Sequence, residues 1–121
     1  ILNFGHTVGH GIEGASGFEV SHGEAVSMGM SIESFIAFKM GYIDEILYKR
    51  LCSLIRYFEL PLNVENIRAE KIVQLMEKDK KNVSNNIKLV LPSNSGNTII
   101  TTELKSGIIL NAINEALMRK L

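Results

Sequence analysis

The chain has 121 residues, 45% of them hydrophobic, with a mean hydropathy of +0.12, which suits one compact domain with a single buried core. Thirteen basic side chains balance thirteen acidic ones, so no net field gathers nucleic acid or an anionic membrane surface, and an anionic ligand must be held by local charges. No apolar run reaches the roughly 20 residues of a membrane helix and no signal-peptide pattern opens the chain, while the single Cys52 excludes an internal disulfide and suits a reducing, cytoplasmic setting.

Ile1 opens the chain inside its most chemically loaded segment, and the sequence reads as a piece of a longer protein. Residues 4–16 read as a first helix, although Gly5, Gly9, Gly11 and Gly14 each cost about 1 kcal/mol of helix propensity relative to Ala. Bare positions two to four residues apart suit close approach by another helix or by a ligand. A loop over 17–21 leads to a second helix over 22–40, with Ala25, Met28, Ile32, Phe35 and Ile36 at the helical period and Gly41 as its stop. A third carries Ile43, Leu47, Leu51, Leu54, Ile55 and Phe58 as an apolar stripe and ends before Pro61. Asn66 is placed to cap a fourth, which holds Ile72, Val73, Leu75 and Met76 and runs into Lys78-Asp79-Lys80-Lys81.

The period then changes from helical to alternating. Ile87, Leu89 and Leu91, a turn over 92–96 and the β-branched run 98–101 predict one small hairpin, and a last helix over 106–120 should bury Ile109, Ala112, Ile113, Ala116 and Leu117. The expected class is mainly α, with helices packed on one another and a minor β element.

All three histidines, His6, His10 and His22, fall within the first 22 residues. His6 and His10 are four apart, so on a helix they share a face with Cβ atoms about 5–6 Å apart. Catalytic zinc uses three protein ligands and an open position, which fits all three imidazoles, provided that His22 returns from the next helix. The spacing equally fits two ligands and one proton-transfer group. Glu13, one turn beyond His10, could orient an imidazole or ligate. Glu24 reads as structural, an acid in a first helical turn. The blander readings are an exposed helix face for the histidine pair, a cap for His22, a solvated cluster for residues 78–81 and core filler for Cys52 and the methionines.

The blocks Leu2-Asn3-Phe4-Gly5-His6-Thr7 with Gly9-His10, then His22-Gly23-Glu24-Ala25-Val26 with Gly29-Met30, and finally Asp79-Lys80-Lys81 before Leu89-Val90-Leu91, resemble 3-dehydroquinate synthase in order and spacing. The resemblance implies that residues 1–121 are the helical, metal- and substrate-binding C-terminal domain, with the NAD-binding N-terminal α/β domain outside this chain and the fragment alone inactive. It implies His6 and His22 as ligands of zinc or cobalt, the third ligand being a glutamate of the absent domain. It makes His10 the proton-transfer and substrate-contacting group, and Asn3 and Lys80 substrate contacts. Lys81 points about 100° from Lys80 on a helix, so spacing alone does not choose between them.

The implied reaction converts 3-deoxy-D-arabino-heptulosonate 7-phosphate, a phosphorylated sugar acid, into 3-dehydroquinate and phosphate in the shikimate route, using NAD catalytically. A homodimer is implied as well. The rival enzyme readings are another sugar phosphate cyclase, such as 2-deoxy-scyllo-inosose synthase, and a metal-dependent polyol dehydrogenase. The rival from another class is a helical interaction module whose histidines do no chemistry.

Overall fold

A computed structural model describes residues 4–78, 86–94 and 99–121. They form helices α1 (His6–Ala15), α2 (His22–Lys39), α3 (Glu45–Tyr57) and α4 (Ala69–Lys78), strands β1 (Asn86–Pro92) and β2 (Ile99–Lys105), and helix α5 (Ser106–Leu117). The strands pair antiparallel, from Asn86 opposite Lys105 to Pro92 opposite Ile99. The mainly α class with one hairpin is the predicted one. Asn3, Lys80 and Lys81, with the turn residues 95 and 96, lie outside the described residues.

The central element is α2. Its Ala25, Met28, Ile32, Ile36 and Ala37 are buried together with the polar Ser27, Ser31, Glu33 and Ser34, so it is enclosed on all sides by α1, α3, α5 and β1. A capping box starts it: the Ser21 hydroxyl accepts from the Glu24 amide and the Glu24 carboxylate from the Ser21 amide. Glu24 is structural, as expected, but as the partner in this capping box and not merely as an acid in a first helical turn. The cap at this end is therefore Ser21, and His22 is the first helical residue rather than the cap.

Between α2 and α4 lies α1, and its glycines are what let it fit. A Cβ on Gly29 of α2 would collide with the Gly5 carbonyl oxygen and stand 2.7 Å from the Gly9 nitrogen, while one on Gly11 would stand 2.9 Å from Ile72 of α4. The bare positions thus serve helix-to-helix approach. Val8 and Ile12 fill the remaining contact and are fully buried. At the far end, Arg119 donates to the Tyr48 hydroxyl at 2.7 Å and to the Ser31 hydroxyl at 2.9 Å, fastening the chain beyond α5 to α3 and α2.

Several sequence expectations are corrected. Asn66 adopts φ +64 and precedes α4 by three residues, and it is the Arg68 carbonyl that accepts from Ile72 as the helix begins. Leu54 and Phe58 are exposed, because α3 packs on α2 by its Cys52–Ile55 side only. Ala112 and Leu117 are half-buried, and α5 stops at Leu117 rather than 120. The second strand reaches Lys105, four residues beyond the predicted end. Cys52 is buried and free, as expected.

Replacing Gly29 with Ala should destabilise the fold by about 2–3 kcal/mol, since the colliding atoms are backbone and cannot rotate away. Thermal melting measures this, and an unchanged melting temperature would show that the α1–α2 contact is looser than described.

Candidate metal centre

The hairpin of α1 and α2 brings the three imidazoles to one place. The ring centres of His6 and His10 are 5.8 Å apart, those of His6 and His22 5.7 Å, and those of His10 and His22 6.0 Å. Imidazole nitrogens bind zinc at 2.0–2.1 Å, which sets ring centres about 5 Å apart around one tetrahedral ion. The observed separations exceed that by about 1 Å or less.

Each of two rings has one nitrogen already engaged. His6 Nδ1 faces the Phe4 carbonyl at 3.3 Å, and His22 Nδ1 faces the Glu13 carboxylate, also at 3.3 Å. A carbonyl and a carboxylate accept only, so each of these Nδ1 atoms carries a hydrogen, and in the neutral ring the free lone pair then lies on Nε2. Among the described residues the His10 ring has no hydrogen-bond partner. His10 and His22 are exposed and His6 is half-buried, so the cluster opens to solvent on one side.

Glu13 belongs to the cluster as well. Donor atoms of His10, Glu13 and His22 fall within 4.8 Å of one another, and two imidazoles with a carboxylate are a donor set suited to a first-row divalent cation. The donor atoms of His10, Glu13 and His22 therefore fit a metal by geometry and by donor chemistry, while His6, its ring centre 5.7 Å from that of His22, stands beside this group rather than within it.

What holds α1 in this pose is a residue that sequence reasoning missed. Gly5, at φ +85, precedes α1 and has no side chain to cap it. Glu33 of α2, fully buried, supplies the cap: its Oε1 accepts the Gly5 amide at 2.8 Å and its Oε2 the Val8 amide at 3.1 Å. Burial pushes its pKa up to about 8, against the lowering effect of the Val8 and Gly5 amides. The available signal was a lone acid inside the otherwise apolar and small run Ser31-Ile32-Glu33-Ser34.

A helical domain that presents imidazoles from two tightly apposed helices at one open point carries the donors of a candidate metal site. The chain belongs to the family of 3-dehydroquinate synthase C-terminal domains, whose sequence profile matches residues 1–82. It is 46% identical over 97 residues to the 3-dehydroquinate synthase of Thermoanaerobacter sp., covering 79% of this chain and 27% of that protein. It is 42% identical over 110 residues to that of Thermoanaerobacter pseudethanolicus, covering 90% and 31%. The chain thus spans less than a third of the length of these relatives.

Among solved structures, 2-deoxy-scyllo-inosose synthase complexed with carbaglucose-6-phosphate, NAD+ and Co2+ superposes with a TM-score of 0.76 at 26% identity, over 93% of this chain and 32% of that one. The 2-epi-5-epi-valiolone synthase of Streptomyces hygroscopicus, with NAD+ and Zn2+ bound, shares the fold with a TM-score of 0.77 at 22% identity, over 98% and 33%.

The buried carboxyl of Glu33 makes stability depend on pH. A carboxyl whose folded pKa is raised from 4.5 to about 8 binds more protons folded than unfolded between those values, so its contribution is complete below pH 4.5 and is lost as the pH rises through 8. The slope approaches about 1.4 kcal/mol per pH unit inside that window. Melting temperature should fall from pH 5 to 8, and Glu33→Gln should flatten that part of the profile. A profile that the substitution leaves unaltered would show that Glu33 is ionised throughout.

Proposed function

We propose that this chain is the metal- and substrate-binding C-terminal domain of a 3-dehydroquinate synthase, which converts 3-deoxy-D-arabino-heptulosonate 7-phosphate into 3-dehydroquinate and phosphate. The observation that carries the reading is the convergence of His6, His10 and His22 at 5.7–6.0 Å on the hairpin within the family match. An N-terminal domain would supply the NAD site and a glutamate as third ligand. Activity as a homodimer in a reducing compartment belongs to the same reading, through the resemblance and through the single buried cysteine.

In this assignment His6 and His22 hold the cation through Nε2, because their Nδ1 atoms are taken by the Phe4 carbonyl and the Glu13 carboxylate. A zinc or cobalt ion, when bound, supplies Lewis acidity toward a substrate hydroxyl and the ketone derived from it. NAD, held by the N-terminal domain, would supply hydride-transfer chemistry. His10, exposed and with both ring nitrogens unengaged among the described residues, accepts and returns a proton at an imidazole nitrogen. Asn3 and Lys80 are assigned to the substrate by their motif positions, Lys80 as the cation that meets a phosphate or carboxylate.

The second reading, a cyclase of the 2-deoxy-scyllo-inosose synthase type, has the structural likeness at TM-score 0.76 in its favour. The 46% identity to a curated 3-dehydroquinate synthase weighs more. Turnover of the heptulosonate phosphate, set against binding of carbaglucose-6-phosphate, the compound held in that cyclase, separates the two.

Calorimetric titration of the full-length protein with Zn2+ or Co2+ tests the division of roles. His6→Ala and His22→Ala should each lower metal affinity by more than the roughly 10- to 100-fold that loss of an outer partner costs. His10→Ala should keep the metal while kcat falls about 100- to 10,000-fold. Equal loss of metal in all three variants overturns the assignment of His10 to proton transfer.

A further inference from the structure

We infer that Glu13 is a positioning residue for the metal site: its carboxylate takes the Nδ1 hydrogen of His22 and so commits the Nε2 of that ring to the cation. The inference rests on the reading of His22 as a ligand, and it adds a role to a residue which that reading leaves without one.

Glu13 Oε1 stands 3.3 Å from His22 Nδ1, on the neighbouring helix and nine residues away in sequence. The two side chains differ in mobility by their surroundings. That of His22 is 58% exposed and that of Glu13 only 19%. A ring at a helix start, with more than half its surface in water, has several rotamers and two tautomers open to it. The more enclosed carboxylate selects one of each, and the selection is made before any cation arrives.

The neighbouring ring repeats the device by other means. His6 Nδ1 is engaged by the Phe4 carbonyl at 3.3 Å, so both rings are left with Nε2 as the free donor. His10, which has no such partner among the described residues, is the one imidazole whose tautomer is unset, as proton transfer at either nitrogen requires. Glu13 and His6 are carried by the same helix. The Glu13–His22 contact therefore also references the ring on α2 to the ring on α1.

A carboxylate so close to the cluster could instead be a ligand in its own right, since its donor atoms group with those of His10 and His22. The two roles respond differently to glutamine. A side-chain amide oxygen still accepts from an imidazole N–H, but it lacks the charge that makes a carboxylate a good ligand of a divalent cation.

The test uses the full-length protein and the variants Glu13→Ala and Glu13→Gln, with circular dichroism confirming the helical fold. In 15N-histidine spectra of the metal-free protein above the imidazole pKa, His22 should carry its hydrogen on Nδ1 in the parent and in Glu13→Gln, and should lose that preference in Glu13→Ala. Co2+ affinity should fall about 10- to 100-fold in Glu13→Ala and stay close to that of the parent in Glu13→Gln. An unchanged tautomer or an unchanged affinity in Glu13→Ala overturns the inference. So does an equal loss in both variants, which would make Glu13 a ligand. Failure of the underlying reading looks different: His22→Ala then leaves Co2+ affinity intact, whatever the spectra of the Glu13 variants show.

Discussion

The structure depends on one contact without side chains, where Gly29 of α2 meets Gly5 and Gly9 at the start of α1. Backbone lies on backbone there, and the axis separation it permits sets how near the histidines of the two helices come. The cost falls on α1, whose glycines each forgo about 1 kcal/mol of helix propensity. Ten residues of such composition would not hold a helix alone in water. They do so here because α1 is enclosed by α2 and α4 and buries Val8 and Ile12 completely. The helix is a product of tertiary packing, and the imidazole cluster inherits its geometry from that packing.

Glu33 completes the constraint by fixing how α1 is turned on α2. A glycine cap has nothing to offer the first amides of its helix, and amides left without partners at a buried end cost about 1–3 kcal/mol each. One carboxyl bonds two of them, Gly5 and Val8, which does the work of both members of a capping box from a different helix. Burying an ionisable group is expensive, and the expense appears in the raised pKa. Rotation of α1 would break two hydrogen bonds to a group that has no water to fall back on. His6 follows Gly5 directly, so its direction is tied to this cap.

Much of this was legible from the residues. The helical period located α2 and the alternation of Ile87, Leu89 and Leu91 located β1, whereas the capping box of Ser21 and Glu24, though local, is missed when His22 is read as the cap. The errors have a common origin. Leu54 and Phe58 fit the stripe of α3, but whether a stripe is covered depends on neighbours, and α3 meets its neighbours along one side only. Asn66 had the chemistry of a cap and a backbone conformation, φ +64, that placed it in the loop instead. The same holds at the site. His6 and His10 are neighbours by helical arithmetic, whereas Glu33 with Gly5 and Glu13 with His22 are pairings between helices that no local rule connects.

The pattern of engaged and free nitrogens gives the site its chemical asymmetry under the proposed assignment. Three imidazoles with equal surroundings could all serve one cation as ligands, leaving none to carry protons. Here two rings have Nδ1 facing oxygens that only accept, and the third has neither nitrogen engaged among the described residues. The difference is made by Phe4 and Glu13, neither of which is one of the three histidines. Two imidazole ligands are also one short of the three that a catalytic zinc needs. Metal affinity in this assignment therefore becomes high only when a ligand from outside the hairpin closes on the exposed side, which couples possession of the cation to assembly of the whole site.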